Sequence, residues 1–460
     1  MTVLDDHTPS NGHSGRSTPP AVTPPGPWSF PQVARHTLGN GIEVHAYHLP
    51  GQQIVAAHLV LPTPLSAEPA DREGVATITT RCLDEGTRRH AGEEFAELLE
   101  TEGAGFGIEV GLSGLQAVLD VPVRRLERAF SLFAEAVTEP ALAAEDVTRH
   151  VQLRLAEIEQ ARVNSAARAT HEFRRAVFAA DSRAARMTGG EPDTVARVTA
   201  EDAAGFHASW FGPVGTSLII AADLTGIDIA DVAERAFGSW RNDDQRVATH
   251  EPVGPAPRTA VLIDRPGAVQ ADLRLGSYAT DRADPRWADL TVAGYAMGGA
   301  FLSRLNKVLR EERGYTYGVR LGFNPLRAGG SYAVQGSFRT EVLVDAVREA
   351  RELLDVSSRP FDATEVAEAV AYYAGVSPLR FATADGVAAQ AATQVLAGLG
   401  PDYLDQSLAA LRAVTPDSAT SAYADVVDPA TASLVVVGAA DQLAEPLRAL
   451  GYDDLVVVGS

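Results

Sequence analysis

The 460-residue chain has a single cysteine, Cys82, and a single lysine, Lys307. One cysteine cannot form an internal disulfide, so a disulfide-stapled scaffold is excluded. With one lysine, nearly all of the 39 basic residues are arginines, placed wherever an average chain would use lysine, and a lone arginine therefore says little about function. Positive charge is also in deficit: 39 basic against 60 acidic side chains give a net charge of −21. That balance excludes nucleic acid and anionic membrane as partners, because gripping phosphates requires concentrated positive charge. It weakly favours cationic partners, although solubility alone accounts for it. Long apolar runs are missing too. The longest candidate, Leu290 to Leu302, is short and broken by glycines, far from the roughly 18 uncharged apolar residues of a membrane span. Residues 1–28 are rich in Ser, Thr, Gly, Pro and His and close on Pro24-Pro25-Gly26-Pro27; they lack the apolar stretch of a secretory signal and read as a flexible tail. The expectation is a soluble cytoplasmic chain.

Catalytic motifs are equally scarce. The eleven histidines end at His250, and neither His-Glu-x-x-His nor His-x-x-Glu-His occurs, so a helical zinc site with its adjacent base is absent. His45 and His48 sit three apart in an alternating, strand-like segment, which points them to opposite faces and makes a poor ligand pair. Cys82 has no nearby partner in sequence and reads as a small buried residue. No Gly-x-Ser-x-Gly, phosphate loop or dinucleotide fingerprint is present.

What the chain does have is enough apolar residue, 45%, for a sizeable core, and a length that suggests about three domains or two large ones. Internal similarity decides between these. Val55–Leu61 alternates like a strand, and Val269–Leu275 does the same 214 positions later. Ser217-Leu-Ile-Ile-Ala-Ala222 and Ser433-Leu-Val-Val-Val-Gly438 each precede a helical run, 216 apart; helices running into Pro140 and Pro360 are 220 apart. A tandem duplication follows, with a domain over residues 29–245, a Pro-rich linker over 246–258 and a second domain over 259–460. Within each copy, strands and helices mix without βαβ alternation. The predicted fold is α+β, a mostly antiparallel sheet with helices packed on one face.

Two segments stand out. In Glu73–Thr87, read as a helix, Val75, Ile78 and Cys82 share one side, while Thr77, Thr80, Arg81 and Asp84 share another, a polar row ordinary for an exposed face. In Gly298–Val319, Phe301, Leu302, Leu305, Val308 and Leu309 form an apolar helical stripe after Gly298-Gly299, and Gly314 is placed to stop the helix in the left-handed conformation. Beyond it Tyr315, Tyr317, Val319, Leu321 and Phe323 alternate as in a strand. Arg310 then ends a helix and Tyr317 projects from the following strand, so both can reach one extended peptide and donate hydrogen bonds to its carbonyls.

At these residues the sequence resembles the pitrilysin/insulinase family of zinc metallopeptidases, which includes mitochondrial processing peptidase. Phe301–Leu305 and Leu309–Val319 look like that family's Arg/Tyr motif, and the strand and helix pattern extends the likeness over about residues 29–460. The resemblance implies two homologous α+β domains forming half of a clamshell around a peptide-sized chamber. Glu73–Thr87 aligns with the family's Gly-x-Ala-His-x-x-Glu-His helix through Gly74, Val75 and Ala76, but Thr77 and Arg81 stand in place of the zinc-binding histidines and Thr80 in place of the glutamate that activates water. Glu157 aligns with the third ligand; one carboxylate alone cannot hold catalytic zinc. The chain thus resembles the non-catalytic subunit of a heterodimeric peptidase, with no metal or cofactor of its own and no activity alone. The implied partners are a homologous catalytic subunit bearing His-x-x-Glu-His, which supplies the zinc, and a peptide substrate. Arg310 and Tyr317 would hold the substrate backbone, with Tyr315 an alternative phenol and Gly298 and Gly299 further candidates for peptide contact. The competing readings are a structural or assembly protein derived from the same family and a homodimeric peptide binder.

Overall fold

The computed structural model describes residues 28–247 and 249–459; the expected flexible tail, residues 1–28, lies outside them except for Trp28. The first half contains β1 (Val33–Thr37), β2 (Glu43–His48), β3 (Ile54–Leu61), β4 (Gly105–Gly111), β5 (Gly114–Pro122) and β6 (Ser217–Ala222). Its helices are α1 (Val75–Arg81), α2 (Gly92–Glu102), α3 (Leu126–Thr138), α4 (Ala144–Val163), α5 (Ser165–Val177), α6 (Pro192–Val195), α7 (Ala200–Trp210) and α8 (Ile229–Phe237). The second half contains β7 (Ala260–Asp264), β8 (Gln270–Ala279), β9 (Val319–Pro325), β10 (Gly330–Arg339), β11 (Ser433–Gly438) and β12 (Val456–Val458). Helices α9 (Trp287–Gly294), α10 (Leu343–Leu354), α11 (Ala363–Arg380) and α12 (Ala384–Leu396) lie between them.

The strands form two six-stranded sheets, ordered β1-β2-β6-β3-β5-β4 and β12-β7-β11-β8-β10-β9. Five strands correspond one for one. In the first sheet Leu218 lies between Val44, in parallel pairing, and Leu59, in antiparallel pairing. In the second, Leu434 lies between Ala260 and Leu275 in the same senses. All three residues have moved by 216 positions, so the duplication extends to the register. The displacement of 214 read from the alternation of Val55–Leu61 is two residues short; a two-residue slip leaves every side chain on its own face, so alternation alone cannot detect it. The sheets are mostly antiparallel, as expected, with parallel pairs at β2/β6, β7/β11 and β7/β12. β4 escapes the sequence pattern because Gly105, Gly107 and Gly111 dilute its alternation.

Each sheet buries one face under helices of its own half: Val55, Leu59 and Leu119 meet Phe130, Phe133 and Phe237 in the first, and Leu273, Val334 and Val436 meet Leu343, Val347 and Leu447 in the second. The opposite faces are covered by exchange. α12, from the second half, lays Ala384, Val387, Ala388, Ala391 and Ala392 on Ala56, Val60, Ile219 and Ala221 of the first sheet. α5, from the first half, lays Ala169, Phe173, Ala176 and Val177 on Ile263, Ala333, Val435 and Val437 of the second. The two helices are equivalent, starting at Ser165 and Ala384, and each has an N-cap side chain accepting from its first turn, Asn164 from Ala167 N and Thr383 from Gly386 N. Small residues let both helices approach their sheets closely. Among the described residues no helix is long and apolar enough to cross a membrane.

Candidate functional site

α1 is short and fixed at its start. Gly74, its N-cap, has φ of 104°, and a Cβ there would lie 2.8 Å from Val195 Cγ2 and 2.9 Å from the Gly189 carbonyl oxygen, so only glycine fits. The buried Glu68 carboxylate accepts from Gly74 N at 2.9 Å and Ala76 N at 3.0 Å, a negative charge placed on the positive end of the helix. Glu68 is in turn held by Arg183, whose Nη2 and Nε donate to it at 2.9 and 3.1 Å. Neither residue belongs to a recognisable motif, and neither is visible from the sequence.

The polar row of α1 is not an exposed face. Thr77 and Thr80 are buried, because the surface they occupy faces the space between the two halves rather than solvent. Thr80 Oγ1 donates to the Ala76 carbonyl at 2.9 Å, whereas Thr77 Oγ1 is buried without a hydrogen-bond partner. Arg81 donates from Nη1 and Nη2 to the two oxygens of Glu157 at 2.9 and 3.0 Å, and Arg154 Nη1 reaches the same carboxylate at 3.1 Å. Hydrogen bonding from Arg81, reinforced by Arg154, holds the Glu157 carboxyl below the usual carboxylate range. The family's zinc therefore does not fit here. The Glu157 carboxylate is neutralised by two guanidiniums, Thr77 and Thr80 offer only hydroxyls, and Arg81 adds a permanent positive charge beside them. Among the described residues no three His, Cys, Asp or Glu side chains gather as a metal set. Cys82 is buried and its thiol is pushed up to about 12 by desolvation, which leaves it without thiolate character at neutral pH.

Around these residues is a cavity of about 690 Å³, to which Thr77, Thr80, Arg81, Arg154, Arg174 and Arg274 contribute. A second cavity of about 540 Å³ is lined by Gly298, Gly299, Phe301, Arg310, Arg320 and Gln335. Both include Ala166 and Arg274 in their walls. Helix α1 and the segment carrying Arg310 thus open on adjoining cavities that share Arg274. Arg274 comes from β8 of the second half and donates to the Ala166 carbonyl at 2.9 Å and to Thr170 Oγ1 at 3.0 Å, both on α5.

The Arg310 segment differs from the expected single helix. α9 runs on as a π-helical turn over Tyr295–Gly299, so Gly298-Gly299 closes one helix rather than opening the next. A Cβ on Gly298 would lie 2.3 Å from Leu321 N, and the glycine is required for this close passage of helix over β9. Phe301 and Leu302 occupy an exposed turn instead of the apolar stripe, while Leu305 and Leu309 are fully buried as expected. The second helical stretch is π-type over Asn306–Glu312. Arg304 anchors it, with Nε and Nη2 donating to Glu365 at 2.7 and 2.6 Å and its guanidinium 4.5 Å from the Phe361 ring centre. Asn306 Oδ1 accepts from Val319 N at 3.0 Å and ties the helix to β9. Gly314 stops the helix at φ of 64°, as predicted.

Arg310 donates from Nη2 to the Phe301 carbonyl at 2.9 Å and from Nε to Glu311 at 2.8 Å, and its guanidinium carbon lies 3.7 Å from the Phe301 ring centre. Tyr315 and Tyr317 do not share a strand face, because β9 begins only at Val319. Tyr315 packs against the core of the second half. Tyr317 is 97% exposed.

Comparison with known proteins covers both halves. The family described as insulinase (peptidase family M16) matches residues 44–188, and the family described as peptidase M16 inactive domain matches residues 197–373. The chain is 24% identical to an uncharacterised zinc protease of Streptomyces coelicolor over 419 residues, covering 88% of this chain and 89% of the relative. Its fold is similar to that of a peptidase M16 inactive domain from Pseudomonas fluorescens, with a TM-score of 0.82 at 23% identity over 88% of this chain and 98% of that one. It is also similar to a chain of complex III2 from Candida albicans, with a TM-score of 0.74 at 14% identity over 92% and 100% of the two chains.

Proposed function

Because the chain belongs to the M16, or pitrilysin/insulinase, family of peptidases and carries Thr77, Thr80 and Arg81 at the zinc-motif positions, we propose that it is the non-catalytic, substrate-binding subunit of a two-subunit zinc peptidase. The carrying observation is the contrast between the two cavities: the Arg81–Glu157 pair closes the metal position, while the neighbouring cavity keeps Arg310 in its wall. Arg310 Nη1 is left over after the contacts to Phe301 and Glu311, and Tyr317 stands clear of its own chain. Donors in this position hold an extended peptide by its carbonyls and stabilise negative charge on an oxygen under attack. The nucleophile and the zinc belong to a homologous partner with an intact His-x-x-Glu-His helix. Tyr317 is the phenol in this reading, since the hydrocarbon of Tyr315 is committed to the core.

The test is reconstitution. The pure chain should neither retain stoichiometric zinc nor cleave peptides, and mixing it with a homologous chain bearing the intact motif should produce cleavage. Zinc-dependent proteolysis by the chain alone would overturn the reading. An inactive but stable assembly would point instead to a structural role.

A further inference from the structure

The cavity beside α1 contains more positive charge than its own carboxylates balance. Arg81 and Arg154 share Glu157. Arg174 and Arg274 have, among the described residues, only neutral acceptors. Arg174 donates from Nε to the Ala184 carbonyl at 2.9 Å and from Nη1 to Thr188 Oγ1 at 3.1 Å, and its Nη2 is buried without a partner. Arg274, 8% exposed, is bonded to the Leu273 and Ala166 carbonyls and to Thr170 Oγ1. The nearby Glu191 is engaged by His171 at 2.9 Å, and Glu172 by Arg168 at 3.2 Å. Neither guanidinium is bonded to a carboxylate, although Asp272 lies near Arg274 and Glu191 near Arg174, and an arriving anion would offset the cost of holding two largely desolvated cations. Desolvation, together with the neighbouring Arg183, holds Arg174 down to about 10, so it remains cationic at neutral pH. Thr77 Oγ1, also buried and unpartnered, adds a further donor in the same wall.

We propose that this cavity binds a carboxylate, with Arg174 and Arg274 as its counter-charges. The lining also includes Ile108, Val110 and Met187, so the site offers cationic donors together with apolar surface. That combination suits a carboxylate attached to an apolar chain better than a bare phosphate, and about 690 Å³ is within the usual range for a small organic ligand. Delivery of the carboxylate by a peptide, as its C-terminus or as an acidic side chain, rests on the functional reading above; the anion site itself does not.

Calorimetric titration of the full chain tests this with four probes. They are acetyl-Ala-Ala-Leu as the free acid, the same tripeptide as its amide, acetyl-Ala-Glu-Leu amide, and inorganic phosphate. One or both carboxylate-bearing peptides should bind, at least tenfold more tightly than the uncharged amide, and the tighter of the two identifies the source of the carboxylate. Arg174→Gln and Arg274→Gln should each weaken that binding at least tenfold, and Arg339→Gln, on the exposed end of β10, should leave it unchanged. Equal binding of acid and amide, binding of phosphate at least as tight as that of the acids, or acid binding unaffected by Arg174→Gln would overturn the proposal. Should Arg274→Gln fail to fold, the acid-to-amide ratio on the unaltered chain and the Arg174→Gln result decide it. The titration needs neither partner nor turnover, so its failure leaves the roles of Arg310 and Tyr317 standing, and failed reconstitution leaves this site standing.

Discussion

Arg81 and Glu157, 76 positions apart, form a two-pronged ion pair in which each guanidinium nitrogen faces its own carboxylate oxygen, at 2.9 and 3.0 Å. In the reading proposed above, the two residues stand at positions that belong to zinc ligands in active members of the family, and the pair holds α1 against α4 in place of a bound metal.

Restoring the ligands should therefore restore the metal. The triple variant Thr77→His, Thr80→Glu, Arg81→His is expected to retain about one zinc per chain after dialysis, measured by elemental analysis, with Glu157 released to serve as the third ligand. Arg81→Ala alone should retain none. A triple variant that stays folded and metal-free would show that α1 is not aimed to coordinate.

Acid should reveal the Arg81–Glu157 pair as a stability term. Glu157 titrates below its ordinary 4.5 in the folded chain and near 4.5 once unfolded, so its contribution is complete above about 4.5 and is lost as the pH falls through the lower, folded value. Glu157→Gln should cost about 1 kcal/mol or less, since the pair is partly exposed. The gap in denaturation midpoint between variant and parent should be constant from about pH 6 upward and should close as the pH falls through the depressed folded-state value, below the ordinary 4.5. A gap that persists undiminished in acid would mean that the carboxylate is not responsible.

In a reconstituted pair, Tyr317→Phe and Arg310→Ala should each lower kcat by about 100-fold, the scale of losing one oxyanion donor. Tyr317→Phe should leave stability within about 0.5 kcal/mol, because the side chain touches so little of its own chain. Tyr315→Phe should be nearly silent in kcat. Steady-state kinetics alongside chemical denaturation separates these outcomes, and a large effect of Tyr315→Phe would reassign the phenol.

The exchanged helices should be sensitive to bulk. Ala388, fully buried between α12 and the first sheet, has no room for added methylenes, and Ala388→Leu is expected to cost about 1–3 kcal/mol by equilibrium denaturation. A neutral result would indicate that the contact is looser than its burial implies.

Much of the architecture was legible because it is written twice. Ser217–Ala222 and Ser433–Gly438 are apolar runs behind an opening serine and are buried throughout, as strands covered on both faces must be, and their spacing matches the pairing register. The exchange of α5 and α12 was not legible: an alanine-rich helix reads alike whichever sheet it meets, and nothing local says which one is nearer. The same limit misplaced Thr77 and Thr80, whose polar spacing suits solvent and a buried chamber equally well. Arg174 and Arg274 were hidden for a different reason. In a chain with one lysine, arginine is the default cation, and only the fold shows that these two line one cavity without a bonded carboxylate. Tyr315 and Tyr317 follow strand alternation in sequence, yet the hydrogen-bonded ladder begins two residues beyond Tyr317.

Two copies that each lend a helix to the other have the topology of a swapped dimer whose protomers have been joined end to end. Neither half owns a complete hydrophobic interior, because the cover for one sheet is encoded some two hundred residues away in the other copy. The molecule is therefore one cooperative unit despite its two sheets. The connecting stretch around Glu251–Pro257 is itself part of the clasp, with Ala179 N donating to the Gly254 carbonyl, Ala256 N to the Val177 carbonyl and Val253 N to the Ala328 carbonyl, and the floor shared by the two cavities is a product of the clasp, not of either copy.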